Sequence, residues 1–438
     1  MTRAQEAIAR IHSENVEVVT LVFTDILGRL KGFNLSLDEI ERAFAEGIVF
    51  DGSSIEGFVR IEESDLIAKP DPDAVFIAPA HVCGLKTAFI VCDVLRVQGE
   101  PFERDPRYVL KRVLRQLAED GLQYYVGPEL EYFYFGSGER PELLDEAGYF
   151  DTLPSYHPTL AREETVKVLK EMGIAVEASH HEVSPSQHEI DFRYTDALRM
   201  ADILQISKMI IKEVARKHGL YASFMPKPVF GINGSGMHVH MSLWRDRENI
   251  FYDARDSYQL SREARHFLGG VLHYIREITL VTNQWVNSYK RLVVGYEAPV
   301  YISWGRFNRS ALVRVPAFKK PASARMELRA PDPGTNPYLA FAAVVTAGRA
   351  GMREQIEPPP PIEQDIYHMS EQDRRRLEIG TLPSSLMESI EYARNSKILR
   401  EALGDPLVDK LVENKRVEWD KFRIAVTDYE IATYYKML

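Results

Sequence analysis

The chain has 438 residues, 45% of them apolar, enough for two or more structural units with large cores. Lys and Arg number 54 against 64 Asp and Glu, a net charge of −10 that argues against a broad nucleic-acid-binding surface but leaves room for small anions held by local arginines. The two cysteines, Cys83 and Cys92, read as free buried thiols in a reducing cytoplasm, and neither an apolar leader nor a membrane-length run is found.

The first hundred residues read as a small mixed α/β unit. An amphipathic helix is predicted over 4–14, strands over Val16–Asp25 and Leu30–Leu35, and a helix over Leu37–Glu46 that stops at Gly47. Phe50–Ser54 is a loop of turn formers, Asp71-Pro72-Asp73 a further turn, and Thr87–Leu95 a strong strand. The unit ends near residue 104. Asp105-Pro106 then opens a helix with an N-cap carboxylate and proline at the first position. Its apolar stripe is Val109, Leu110, Val113, Leu114 and Leu117, and Gly121 ends it. Further helices are predicted over 161–172, 195–218, 261–285, 337–356 and 384–402, with a last one after the capping box Thr427–Glu430.

Between the helices lie strands of unusual composition. Gly127–Phe133 alternates Glu129 and Glu131 with Leu130 and Tyr132, so both acids share a face. Like charges so close raise one pKa unless a cation lies between them. After His180-His181-Glu182, Glu189, Asp191 and Arg193 alternate with Ile190 and Phe192. In Met237–Leu243 the residues His238, His240 and Ser242 share a face, and in Arg325–Arg329 so do Arg325, Glu327 and Arg329. A solvated strand face usually carries Thr, Lys and Ser. Faces of Glu, His and Arg turned to a common interior need metal ions or charged substrates. Carboxylates with an occasional imidazole suit Mg²⁺ or Mn²⁺, whereas zinc favours thiolates or more imidazoles.

Asn233-Gly234-Ser235-Gly236 precedes the His238 strand and lets backbone amides approach a ligand. Neither a Walker A pattern nor a dinucleotide fingerprint occurs, so a nucleotide must bind otherwise. Arg291, Arg306, Arg309, Arg314, Arg325 and Arg329 crowd one region, and arginine forks carboxylates and phosphates bidentately. Glu297 is a lone acid in the loop Gly295–Pro299, a lid residue or a turn. The residues alone therefore point to a two-metal carboxylate site beside an arginine cluster, the arrangement phosphoryl transfer requires.

Taken together, these motifs resemble type I glutamine synthetase. The matching stretches are Asp51–Ser54, Gly127–Glu131, His180–Glu182, Lys227–His240, Asn287–Leu292, Gly295–Pro299, Asn308–Ser310 and Arg325–Pro333, in the family's order over nearly the whole chain. The resemblance implies an α+β fold: a small N-terminal β-grasp domain, residues 1–104, then a larger catalytic domain, 105–438, with a funnel of antiparallel strands surrounded by helices. It implies a dodecamer of two hexameric rings with sites between subunits, Asp51 being donated by the neighbour. Glu131, Glu182 and Glu189 would hold one Mg²⁺ or Mn²⁺ and Glu129, His238 and Glu327 a second, with room for a third. Glutamate would meet Asn233, Gly234, Arg291, Glu297 and Arg329. ATP would lie along Glu177, His240, Ser242 and Arg325, with Arg309 and Arg314 on phosphoryl groups. Asp51 would take a proton from ammonium, Arg309 would serve the phosphoryl step, and Glu297 would close over the site.

The implied reaction is ATP-dependent ligation of ammonia to glutamate through γ-glutamyl phosphate; the alternative is a glutamate–amine or polyamine ligase of the same family. A catalytically dead regulator is disfavoured, because every acid and arginine the chemistry needs is present. The short Glu182–Glu189 interval and Arg60 resemble the α subclass, in which glutamine itself inhibits, and Arg60 is the expected regulatory residue. Tyr367 sits where the β subclass carries a modified tyrosine, but its flanks differ, and it reads as an ordinary surface aromatic. A regulatory protein partner is compatible with the sequence; direct nucleic-acid or membrane binding is not expected.

Overall fold

A computed structural model describes residues 1–55, 57, 65–152 and 156–438. The first body is a five-stranded sheet in the order Leu30–Leu35, Val18–Thr24, Thr87–Arg96, Asp65–Ala78, Ile48–Asp51. Val18–Thr24 and Thr87–Arg96 run parallel and the other pairs antiparallel. Helices Arg3–Ser13 and Ile40–Glu46 cover one face, packing Ala7, Ile11, Ile40 and Phe44 onto Val19, Leu21, Val75, Ile77 and Ile90. Gly47 ends the second helix at φ 83°, a conformation open chiefly to glycine.

Two turn expectations are corrected here. Asp71-Pro72-Asp73 does not reverse the chain; it lies within the strand Asp65–Ala78, at a register break between Pro70 and Val75. Proline cannot donate to a ladder, so the strand bulges instead of ending. Asp51, expected in a loop, ends the edge strand Ile48–Asp51, and its carboxylate accepts from Ser53 N (2.8 Å).

The second body is built on an eleven-stranded sheet. Its main path runs Gly380–Thr381, Tyr301–Gly305, Ala311–Arg314, Met326–Leu328, Met237–Arg245, Gln123–Phe135, Gln187–Phe192, Val176–His181. All neighbours on this path are antiparallel except Tyr301–Gly305 with Ala311–Arg314. Helices supply the remaining core. Arg262–Thr282 packs against Pro337–Glu354 so closely that a methyl on Gly270 would lie 2.6 Å from Gly351 Cα.

Predicted caps appear as expected: Asp105 accepts from Arg107 N ahead of helix Pro106–Glu119, and Thr427 and Glu430 form a capping box. The helix expected over 161–172 begins earlier, at Tyr156. The helix expected over 384–402 is two, Leu386–Arg394 and Lys397–Leu403, because the Ser396 side chain turns to accept from Leu399 N (2.9 Å) and starts a new helix.

The two bodies meet through buried polar contacts. Arg107 reaches Asp202 (2.9 Å) in its own body and Asp93 (2.5 Å) and Asp71 (2.8 Å) in the first. Gln284 Nε2 donates to Leu27 O (2.8 Å), and Asn336 Nδ2 to Asp25 O (3.1 Å). No helix among the described residues is long and apolar enough to cross a membrane.

Candidate active site

The acidic residues meet because the strands that carry them are neighbours. Glu129 lies opposite His238 on one side and Asp191 on the other, and Glu131 lies opposite Glu189. Glu327 lies opposite both His240 and Arg314, and His180 opposite Glu189. Alternation along each strand then turns these side chains to one face.

The cleft above that face has two adjoining compartments. The smaller, about 420 Å³, is lined by all six expected metal ligands and by Asn233, Gly234, Arg291, Glu297, Arg309, Arg314 and Arg329. The larger, about 670 Å³, is lined by Glu177, His240, Ser242 and Arg325 together with Tyr125, Phe192 and Tyr194. Glu129 and Asp191 belong to both walls. Of the remaining expected site residues, Asp51 is exposed and lines neither compartment of its own chain. Arg60 lies outside the described residues.

The two ends of the acid row differ electrostatically. At one end Glu129 accepts from His238 Nδ1 (2.9 Å) and His240 Nε2 (2.7 Å). Burial alone would raise its pKa, but these two hydrogen bonds outweigh burial and hold it well below the usual carboxylate range. Glu327, fully buried, accepts from Arg314 (2.6 Å) and Arg329 (2.7 Å). Its pKa is likewise lowered, the nearby His240, Arg329 and His238 overcoming burial.

At the other end cations are scarce. Burial and then the Glu131 charge push Glu182 up to about 8, and the same two causes raise Glu189. His180, which meets the stacked Tyr149 and Phe150 rings edge-on, comes within 3.4 Å of Glu189 and 3.8 Å of Glu182. Glu131 accepts from Gln187 Nε2 (2.9 Å) and Gly236 N (2.8 Å).

Two groups at this face bring ligand atoms within 4.8 Å of one another: Glu129, His238 and Glu327, and His180, Glu182 and Glu189. Oxygen donors with one imidazole and no thiolate fit a hard or borderline divalent cation. Cys83 and Cys92 lie elsewhere, in the first body. His180 and Gln187 had no assigned role from sequence; alternation alone left His180 readable as a neighbour of the site. A third group, Asp145, His181 and His188, is buried behind the cleft. There Arg162 donates to His188 Nδ1 (3.1 Å), which leaves the proton on Nε2 and removes that atom as a ligand.

Beside the acids, Arg291 is buried and held by three backbone carbonyls, Ala330, Pro331 and Arg329. A methyl on Gly236 would lie 2.6 Å from the Arg291 guanidinium and 2.8 Å from His238 Nε2, so only glycine admits both side chains. The Gly295–Pro299 loop reaches the cleft from the far side, where Glu297 accepts from Asn233 Nδ2 (3.3 Å). Tyr367, expected as an ordinary surface aromatic, is half-buried, with its hydroxyl donating to Ala298 O (2.7 Å). That correction has a plain cause: buried Ile366, whose N–H donates to Ser310 Oγ, anchors the turn and draws Tyr367 against the neighbouring loop, while Asp365 and His368 face solvent.

A β-grasp domain joined to a catalytic domain whose strands present carboxylates, imidazoles and arginines to one cleft defines a known class of two-domain ligase. Family models agree. The glutamine synthetase catalytic domain matches residues 103–434, and the glutamine synthetase β-grasp domain matches 15–97. The glutamine synthetase of Thermotoga maritima is 49% identical over 434 residues, 98% of this chain and 99% of that one. Among solved structures, the cryo-EM glutamine synthetase of Plasmodium falciparum superposes with a TM-score of 0.90 at 26% identity, over 99% of both chains. GmaS in complex with ADP superposes with a TM-score of 0.89 at 29% identity, over 98% of this chain and 99% of that one. The chain belongs to the glutamine synthetase family.

Proposed function

We propose that this enzyme joins ammonia to the γ-carboxylate of L-glutamate, with ATP converted to ADP and phosphate through a γ-glutamyl phosphate intermediate. The observation that carries the reading is the shared wall of the two compartments. A nucleotide in the larger one would direct its terminal phosphate past Glu129 toward an amino acid in the smaller one. A carboxylate is a poor electrophile, and phosphorylation gives it a leaving group. Arg291 and Arg329 suit the glutamate carboxylates, and Arg309 and Arg314 suit the phosphoryl group in flight. Glu129, Glu131, Glu182, Glu189, His238 and Glu327 would hold divalent cations, Mg²⁺ or Mn²⁺, whose charge lets two anions approach.

Ammonium must lose a proton before it can attack, and Asp51 is the acid assigned to take it. Its exposure in a single chain supports an assembly in which a neighbour's Asp51 completes the site, in two stacked hexameric rings. Glu297 would close over the reacting centre and exclude water. The division of the chain at 104/105 belongs to the same reading, supported by Asp105 capping the first helix of the second body. So does the α-like subclass, with Arg60 in glutamine feedback.

The alternative reading is a glutamate–amine or polyamine ligase of the same family, which would use the same acids and arginines. Phosphate release with glutamate, ATP and Mg²⁺ separates the two when ammonium is compared with a panel of amines. Ammonium should give the highest kcat/KM. Preference for a larger amine would overturn the ammonia reading.

A further inference from the structure

The loop that carries Glu297 is held in an unusual shape. Glu297 has φ 55°, in the left-handed region that non-glycine residues seldom occupy, so neighbouring contacts must keep it there. The Tyr296 ring lies 3.7 Å from Lys227 Nζ, and Glu297 accepts weakly from Asn233 (3.3 Å). The third contact is the shortest, from the Tyr367 hydroxyl to the carbonyl of Ala298 (2.7 Å). Ala298 is buried and precedes Pro299, so its carbonyl belongs to a tertiary amide that has no N–H of its own.

Tyr367 is itself well seated. It lies in the turn Ile366–His368, opened by Asp365, whose carboxylate accepts from Tyr367 N (2.9 Å). Ile366 is fully buried, and its N–H donates to Ser310 Oγ (3.1 Å). Asn308 Nδ2 donates to Gln364 O (2.7 Å), which ties the turn to the loop that carries Arg309. Burial pushes the phenol up to about 12, so it remains a donor through the neutral range.

We propose that Tyr367 is a positioning residue, a latch whose phenolic O–H fixes the Gly295–Ala298 loop so that Glu297 faces the cleft. The latch grips the backbone and makes no use of the Glu297 carboxylate, which accepts from Asn233 instead. The Tyr367 hydroxyl donates to the Ala298 carbonyl and not to the acid row. Arg329 and Arg291 lie within electrostatic range of the phenol, but the neutral O–H carries no charge for them to lose, so its removal should act chiefly on closure. The inference rests on the proposal that Glu297 shields a phosphorylated glutamate. With a loose loop, water competes with ammonia. Water adds to the acyl carbon, the bond to the phosphoryl oxygen breaks, and glutamate, phosphate and a proton are released.

The test is Tyr367→Phe in the assembled, full-length enzyme. Phenylalanine keeps the ring, 6.2 Å from that of Tyr301, and removes only the hydroxyl. The expected result is a rise of about 2- to 10-fold in phosphate released per glutamine formed, a higher KM for ammonium, and an unchanged KM for glutamate. Amides of residues 295–298 should exchange faster, with an unchanged melting midpoint. Wild-type coupling and wild-type exchange in Tyr367→Phe would overturn the latch, and so would a lowered melting midpoint with coupling intact, which marks a purely structural tyrosine. If wild-type enzyme makes no glutamine, the functional reading falls, and hydrogen exchange still decides the latch.

Discussion

Glu327→Ala removes the residue on which one half of the cleft converges. Its carboxylate has no solvent exposure and answers two guanidinium groups, Arg329 at 2.7 Å and Arg314 at 2.6 Å. The Arg329 side chain is only 9% exposed, so removing the acid strands a buried charge, at a cost of about 3–5 kcal/mol. Arg314 is 30% exposed and can turn toward water, so it should add roughly 1 kcal/mol or less. The unfolding midpoint in urea should therefore fall. The assigned metal set also loses a ligand, so Mn²⁺ should no longer protect against unfolding through that site, a linkage that amounts to about 2.7 kcal/mol at a hundred times Kd. Phosphate release should drop by at least about 100-fold, as for other lost electrostatic groups at a reacting centre. Calorimetric Mn²⁺ titration, urea unfolding and phosphate release test the three parts separately. Unchanged metal stoichiometry together with unchanged turnover would refute the assignment.

Three further outcomes are expected. Asp51→Ala should still cleave some ATP in the presence of glutamate but form little amide, and mixing it with a variant inactive only in the second body should restore activity if neighbours share sites; full amide formation by Asp51→Ala alone would remove that acid from the mechanism. Arg60→Ala should keep its activity and raise the glutamine concentration needed for half inhibition; an unchanged inhibition curve would make Arg60 a surface ion-pair residue. Asp71 is held at about 2 from an ordinary 3.8, Arg107 and then Lys111 outweighing burial. A depressed carboxylate stabilises the fold above its unfolded pKa and loses that contribution as pH falls, here between about 4 and 2, with roughly 2 kcal/mol at stake. Asp71→Asn should therefore unfold at lower urea than wild type at neutral pH, with the gap closing near pH 2; a pH-independent gap would contradict the account.

The acid row was legible in the sequence because a period of two and an odd composition coincide. Glu129, Glu131, Glu189, His238 and Glu327 alternate with apolar residues in short runs, which fixes a common face before any pairing is known. The strands Tyr301–Gly305 and Ala311–Arg314 carry no such alternation of charge, and nothing local marked them. Asp71-Pro72-Asp73 has turn composition, yet pairing with the neighbouring strand absorbs it as a bulge, a tertiary effect that short windows miss. Ser396 was invisible as a cap because it lies inside a stretch of continuous helical periodicity. The latch from Tyr367 to Ala298 spans 69 residues and leaves no periodic trace.

The ladder of the central sheet has a consequence for how such an enzyme can diverge. Glu129, Glu131, Glu189, His238 and Glu327 are cross-strand neighbours, so their mutual placement is set by register, and a slip of one residue would turn all of a strand's acids away. Asp51, by contrast, ends an edge strand of the first body opposite Asp65, and Glu297 sits in a loop, so neither belongs to the ladder under the acids. Changes around these two, the residues proposed to meet the incoming nitrogen, need not disturb a single backbone pairing under the acids. On the proposed reading, the choice of nucleophile is the replaceable part of the machine, and the floor of acids the part that inheritance cannot easily edit.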